Sequence, residues 1–304
     1  MIFTTITMNP CLDRREYLSD FQVGKTNRPY KTTETAGGKG INVSRELVSM
    51  LDPIKASVHT VTFAGGATGE RLKKLMEQEL SVSECCSGLT VLPSQYDTRL
   101  CTKLITPQGV TEINEEGRLS EEECNALAEV IADLVTSDSP QVVFLCGSFP
   151  QGVELNVENS LITLLEGCGI PVIVDTSGRA LVESLVASPS LIKPNETELC
   201  ELHGGAFASD EELVEFCQNL YVDNHTEVLC TLGEKGALFV GEEGVFHKIS
   251  QKISPCDATG AGDAFLASFA YARYAEHKTA KEALDFATAY VREKLLKSQQ
   301  TIQE

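Results

Sequence analysis

Hydrophobic and polar positions along this chain fall into two alternating rhythms. Short apolar runs at 2–8, 56–63, 142–146, 171–175, 190–193 and 227–231 each end in polar or turn residues, such as Asn9-Pro10 or Gly147-Ser148. Runs of this kind predict strands covered on both faces, as in parallel sheets. Between them apolar residues return every three or four positions. That spacing predicts helices over 41–51, 70–78, 120–135, 157–168, 179–187, 196–203, 265–272 and 279–296. Ser120 followed by Glu123 resembles a capping box. Strand and helix taken in turn predict an α/β fold: a doubly wound, mostly parallel sheet flanked by helices, with right-handed crossovers and ligands at the carboxyl ends of the strands.

A second pattern interrupts the first. Stretches at 17–21, 28–35, 89–92, 99–105 and 110–113 read as short strands with no helical rhythm among them. They predict a small β-sheet lid, formed by about 11–35 and 89–113, on a single domain spanning 1–304. A hairpin is expected over 237–240 and 244–248.

Composition acts mainly by exclusion. The formal charge of −19 removes nucleic acid and anionic membranes as general partners. No apolar run approaches the roughly 20 residues of a membrane span. The eleven cysteines are scattered without a Cys-x-x-Cys, which predicts reduced thiols in a cytoplasmic setting and no zinc or redox motif. Cys146, Cys217 and Cys230 read as small core residues. The five histidines lack ligand spacing and read as mostly solvated. In so acidic a chain, Arg99 and Lys103, on one face of the strand 99–105, are either an anion site or a charged outer face.

Glycine clusters carry the candidate chemistry. Gly37-Gly38-Lys39-Gly40 opens the helix at 41, and Asp257-Ala258-Thr259-Gly260-Ala261-Gly262-Asp263 opens the helix at 265. A helix N-terminus offers unpaired N–H groups to anions. Asp263 would set a carboxylate beside the amides of Gly260, Ala261 and Gly262. Such an anion cradle beside a base is the minimum for moving a phosphoryl group onto a hydroxyl; the alternative is an ordinary glycine turn. Polar features fall at other expected strand ends: Gly147-Ser148, Asp175, Lys193-Pro194-Asn195 and 231–236. Asn195 and Glu198 either close a capping box or organise a hydrated Mg²⁺ near a triphosphate. No G-x-x-x-x-G-K-[ST] loop occurs, and G-x-G-x-x-G fails at Phe265.

Taken in order, these pieces resemble the ribokinase-like (PfkB) carbohydrate kinases, and within them the 1-phosphofructokinase and tagatose-6-phosphate kinase branch. The matching motifs are Thr7-Met8-Asn9-Pro10 with Asp13, Thr35-Ala36-Gly37-Gly38-Lys39-Gly40-Ile41-Asn42-Val43, Asp97-Thr98-Arg99, Thr111-Glu112-Ile113-Asn114, Cys146-Gly147-Ser148-Phe149-Pro150, Asp175-Thr176-Ser177-Gly178, Ile192-Lys193-Pro194-Asn195 and Gly260-Ala261-Gly262-Asp263. The resemblance implies an ATP-dependent kinase for a ketose phosphate, fructose 1-phosphate first, with tagatose 6-phosphate or another sugar as alternatives. A sugar-phosphate-binding regulator is the non-enzyme alternative. Asp263 would be the base, with Gly260, Ala261 and Gly262 holding the phosphoryl group. Asp13, Gly38 and Asn42 would hold sugar hydroxyls, and Lys39, Arg99, Arg28 and Lys103 the phosphate already on the sugar. Lys193, Asn195, Glu198, Thr231, Gly233 and Gly236 would serve ATP, with Glu198 reaching Mg²⁺ through water. The lid would close over the sugar, and a homodimer through the lid is implied.

Overall fold

Phe3 and Ile6 lie on one strand and are buried in different cores. That is the physical meaning of an unbroken apolar run: each side of the sheet has its own layer of helices. The computed structural model describes residues 1–137, 139–250 and 260–303, so the expected turn at Asp257-Ala258-Thr259 lies outside the described residues.

In chain order the first half runs β1 (Ile2–Thr7), β2 (Cys11–Tyr17), β3 (Lys31–Gly37), α1 (Lys39–Met50), β4 (Ser57–Ala64), α2 (Gly66–Glu79), β5 (Cys86–Pro93), β6 (Arg99–Thr106), β7 (Gly109–Asn114), α3 (Glu121–Ser137) and β8 (Val142–Cys146). The second half runs α4 (Leu155–Gly167), β9 (Val172–Asp175), α5 (Gly178–Ser184), β10 (Leu191–Ile192), α6 (Glu196–His203), α7 (Asp210–Asn224), β11 (Glu227–Thr231), β12 (Ala237–Gly241), β13 (Gly244–Lys248), α8 (Ala261–Ala270) and α9 (Ala280–Gln303).

The main sheet has the order β13-β12-β11-β10-β9-β8-β1-β4-β5. Its strands from β5 to β11 pair in parallel, and β12 and β13 add the expected antiparallel hairpin. Helices α3, α4, α6 and α7 pack on one face around Ile6, Val143, Val174 and Val228, while α1, α8 and α9 cover the other around Phe3, Phe144 and Phe239. Ser120 and Glu123 do form a capping box, each backbone N–H donating to the other's side chain. Cys146, Cys217 and Cys230 are buried core residues, as expected.

The small sheet has the order β3-β2-β6-β7. Two corrections concern it. Its first strands are 11–17 and 31–37, whereas 18–30 is the connection between them, so the expected strands at 17–21 and 28–35 were misplaced. The stretch 89–92 does not join it at all: β5 pairs with β4 at the edge of the main sheet. There Gly88 leaves room for the His59 ring, which hydrogen-bonds Thr90 Oγ1 at 2.8 Å. His59 is therefore buried, the exception among histidines of which His225, His247 and His277 are exposed, as most were expected to be. Helix α7 was not expected either, although Ser209 caps it by accepting from the Glu212 N–H. Among the described residues no helix is long and apolar enough to cross a membrane.

Candidate active site

Asp263 sits in the first turn of α8 and is only 8% exposed. Gly260 reverses the chain ahead of it with φ 77°, a left-handed conformation that costs glycine little. The first bond of the helix ladder runs from the Ala264 N–H to the Gly260 carbonyl at 3.0 Å. The amides of Ala261, Gly262 and Asp263 thus precede the ladder and present N–H groups at the helix's positive end.

The Asn42 side chain holds the acid. Its Nδ2 donates to Asp263 Oδ2 at 2.7 Å, and its Oδ1 accepts from Arg45 Nη1 at 2.9 Å. A guanidinium only donates, so Arg45 dictates which end of the amide faces Asp263. Arg45 is in turn anchored on Glu79 Oε2, at 2.6 and 3.0 Å, and on the Ala36 carbonyl at 2.7 Å. Burial, and then the negative charge of Asp175, push the Asp263 carboxyl from its ordinary value of 3.8 up to about 6, while the Asn42 bond opposes that rise.

Asp175, at the end of β9, is 1% exposed and lies between two lysines. Lys39 Nζ reaches its Oδ1 at 2.7 Å, and Lys193 Nζ reaches Oδ2 at 3.2 Å. Burial disfavours the Lys39 charge, but the Asp175 carboxylate outweighs it and holds the ammonium above its ordinary value. Lys193 Nζ also stands 3.7 Å from where a Cβ on Gly262 would lie. The lysines therefore bring positive charge to the end of α8, where an incoming anion would meet it.

Asn195 and Glu198 form the capping box: Asn195 Oδ1 accepts from the Glu198 N–H at 2.9 Å, and Glu198 Oε2 accepts from the Asn195 N–H at 2.8 Å. Glu198 Oε1 lies 4.0 Å from Lys39 Nζ. The two alternatives for this stretch are therefore compatible: one carboxylate oxygen caps α6 and the other faces the site. An oxygen donor of that kind suits a hydrated Mg²⁺. The Thr231 N–H donates to the Pro194 carbonyl at 3.1 Å, which sets the loop 231–236 beside this cap. A Cβ on Gly236 would meet the Lys248 carbonyl oxygen at 1.9 Å, so only glycine fits there; Gly233 lies on the same turn.

The remaining candidates separate. Asp13 on β2 accepts from the Cys11 thiol at 3.5 Å and faces Gly37. Gly38 has φ 122°, and a Cβ there would strike Thr7 Cγ2 at 2.7 Å. Arg99 donates to the Asn9 carbonyl at 3.0 Å and to those of Pro10 and Glu115 at 3.3 Å. With Asn9, Tyr96, Asp97 and Arg118 it lines a cleft where β1, β4 and β5 end. Lys103 is buried on β6 of the small sheet, 3.8 Å from Glu112 Oε1. Four residues along a strand put it roughly 13 Å from Arg99, so the two mark opposite ends of a face. Arg28 is exposed on the connection 18–30. Sequence reasoning missed Arg45, although it lies one helical turn after Asn42, and Arg118, which lies over the Tyr96 ring.

Comparison with known proteins fits this arrangement. Residues 6–302 match the model of the pfkB family carbohydrate kinases. The chain is 31% identical over 291 residues to a 1-phosphofructokinase of Borreliella burgdorferi, covering 95% of this chain and 90% of that one. It is 33% identical over 270 residues to the 1-phosphofructokinase of Bacillus subtilis, covering 88% and 84%. The structure of Escherichia coli phosphofructokinase-2 in complex with fructose-6-phosphate superposes with a TM-score of 0.84 at 25% identity, over 97% of this chain and 94% of that one.

Proposed function

This chain belongs to the pfkB family of carbohydrate kinases, and from that premise we propose that it transfers the terminal phosphoryl group of ATP to a hydroxyl of fructose 1-phosphate, giving fructose 1,6-bisphosphate. The observation that carries the mechanism is the buried Asp263 carboxylate, held by Asn42 beside the N-terminus of α8. The relatives named 1-phosphofructokinase support the choice of sugar. The phosphofructokinase-2 neighbour, seen with fructose-6-phosphate, keeps fructose 6-phosphate as the second reading.

In this reading Asp263 accepts the proton of the attacking hydroxyl. A carboxyl near 6 is ionised at neutral pH and basic enough to take that proton as the new O–P bond forms. The amides of Gly260, Ala261 and Gly262, with Lys193, hold the oxygens of the migrating phosphoryl group. Lys39 joins the two halves of the site: it pairs with Asp175 and faces Glu198, so its charge serves the triphosphate rather than the sugar's own phosphate. Asn195, Thr231, Gly233 and Gly236 shape the nucleotide bed. Glu198 would hold Mg²⁺ through water; when bound, the ion supplies charge neutralisation along the triphosphate.

On the sugar side, Asp13 and the Gly38 turn face the hydroxyls, with the second Asn42 N–H. Arg99 meets the phosphate already present, and the lid sheet excludes water. Outer strand β7 is exposed along its length, with Val110 and Ile113 among its residues, and we include a homodimer through this sheet in the proposal. The test is ADP release from ATP with fructose 1-phosphate, tagatose 6-phosphate, fructose 6-phosphate, ribose and adenosine. Highest kcat/KM with fructose 1-phosphate is expected; highest kcat/KM with ribose or adenosine would overturn the phosphosugar reading.

A further inference from the structure

Cys11 and Cys101 are ninety residues apart in a chain whose cysteine spacing suggests no metal motif, yet the lid brings them together. In the parallel pairing of β2 with β6, Asp13 stands opposite Cys101 and Cys11 opposite Arg99. Residues 11 and 13 share one face of β2, so two sulfurs and a carboxylate meet on one side of the sheet. The Sγ atoms of Cys11 and Cys101 and a carboxylate oxygen of Asp13 all lie within 4.8 Å of one another. Both thiols are buried, at 4% exposure each.

The backbone of β3 packs directly against this cluster. Gly37 lies opposite Cys11 on β3, and a Cβ there would meet Cys11 Sγ at 2.7 Å and Asp13 Cγ at 2.8 Å. Only a residue without a side chain leaves the trio its space. Sulfur ligands sit about 2.3 Å from a tetrahedral Zn²⁺, hence roughly 3.8 Å from each other, which falls within the 4.8 Å that bounds this cluster. Two thiolates and a carboxylate would carry three negative charges onto a soft divalent ion, leaving the fourth position for water.

We propose that Cys11, Cys101 and Asp13 form a binding site for a thiophilic divalent cation of the Zn²⁺ class, and that occupancy blocks the phosphosugar. Binding converts both thiols to thiolates and releases their protons to solvent. Mg²⁺, which prefers oxygen donors and octahedral geometry, is a poor occupant. The metal site stands on its own geometry. Its effect on the sugar rests on the role of Asp13 proposed above, because a carboxylate ligating the ion is withdrawn from the sugar hydroxyls.

The test titrates Co²⁺ and Cd²⁺ into the metal-free full chain and follows thiolate-to-metal charge-transfer absorption. One equivalent per chain is expected, with the band lost in both Cys11→Ser and Cys101→Ser; Cys11→Ala and Cys101→Ala serve where a serine variant does not fold. No band in the wild type, or an unchanged band in both variants, overturns the site. In parallel, buffered free Zn²⁺ should inhibit ADP release competitively with fructose 1-phosphate and not with ATP, and at least tenfold more weakly in the variants. A one-equivalent band without competition against the sugar would keep the metal site and overturn the role of Asp13.

Discussion

Asn42 Nδ2 donates a 2.7 Å hydrogen bond to Asp263 Oδ2, and Arg45, on the far side of the same amide, forbids it to turn round. One helix near the start of the chain thereby sets the ionisation of an acid on another near its end. This bond holds the Asp263 carboxyl lower than burial alone would. Asn42→Ala should therefore move the acidic limb of the kcat–pH profile upward from about 6 and lower kcat at neutral pH. Arg45→Met should do the same more weakly, since the amide remains but is no longer oriented.

The ionisation of Asp263 also bears on stability. Its carboxyl is raised from 3.8 to about 6, so the folded chain binds the proton more tightly than the unfolded chain. Its contribution is most favourable below pH 4 and is lost as pH rises through 6. The cost of the ionised, buried form is on the order of 3 kcal/mol. Asp263→Asn should therefore raise Tm at pH 7.5, with the gain shrinking as the pH falls towards 4. Thermal melts at the two pH values check this.

Glu158 on α4 gives the same kind of signal away from the site. It is fully buried, both carboxylate oxygens lack a hydrogen-bond partner among the described residues, and burial pushes its carboxyl from 4.5 to about 8. Stability from this group is present below 4.5 and lost as pH rises through 8. Glu158→Gln should leave KM values unchanged and slow the loss of Tm between pH 7 and 9.

Arg99 spends its guanidinium on three carbonyls as well as lining the cleft. Arg99→Ala should raise KM for fructose 1-phosphate by roughly tenfold to a hundredfold, the worth of a charge-assisted hydrogen bond. Arg99→Lys should recover little of this, because an ammonium lacks the planar fork. An unchanged KM in the alanine variant would remove Arg99 from the sugar site.

The alternation of apolar runs and helical periods sufficed to read the main sheet except β5, and most of its helices. The glycine clusters pointed to the candidate site because a sharp turn into a helix is a local feature. Partnership across the sheet was not legible. β5 has the pattern of any edge strand, and only its pairing with β4 assigns it to the main sheet. Lys39 was expected on the sugar's phosphate, and no local signal announces that Asp175, 136 positions away, claims its ammonium. Asn195 and Glu198 were read as either cap or ligand because sequence cannot say that one carboxylate turns its two oxygens to different partners, the Asn195 N–H and Lys39.

Asp263→Asn, assayed with ATP and fructose 1-phosphate beside calorimetric binding of the sugar, tests the central claim most directly. The account predicts sugar affinity within a few fold of wild type and turnover lower by at least a hundredfold, the usual contribution of a general base. Turnover within tenfold of wild type in a folded Asp263→Asn chain would contradict it.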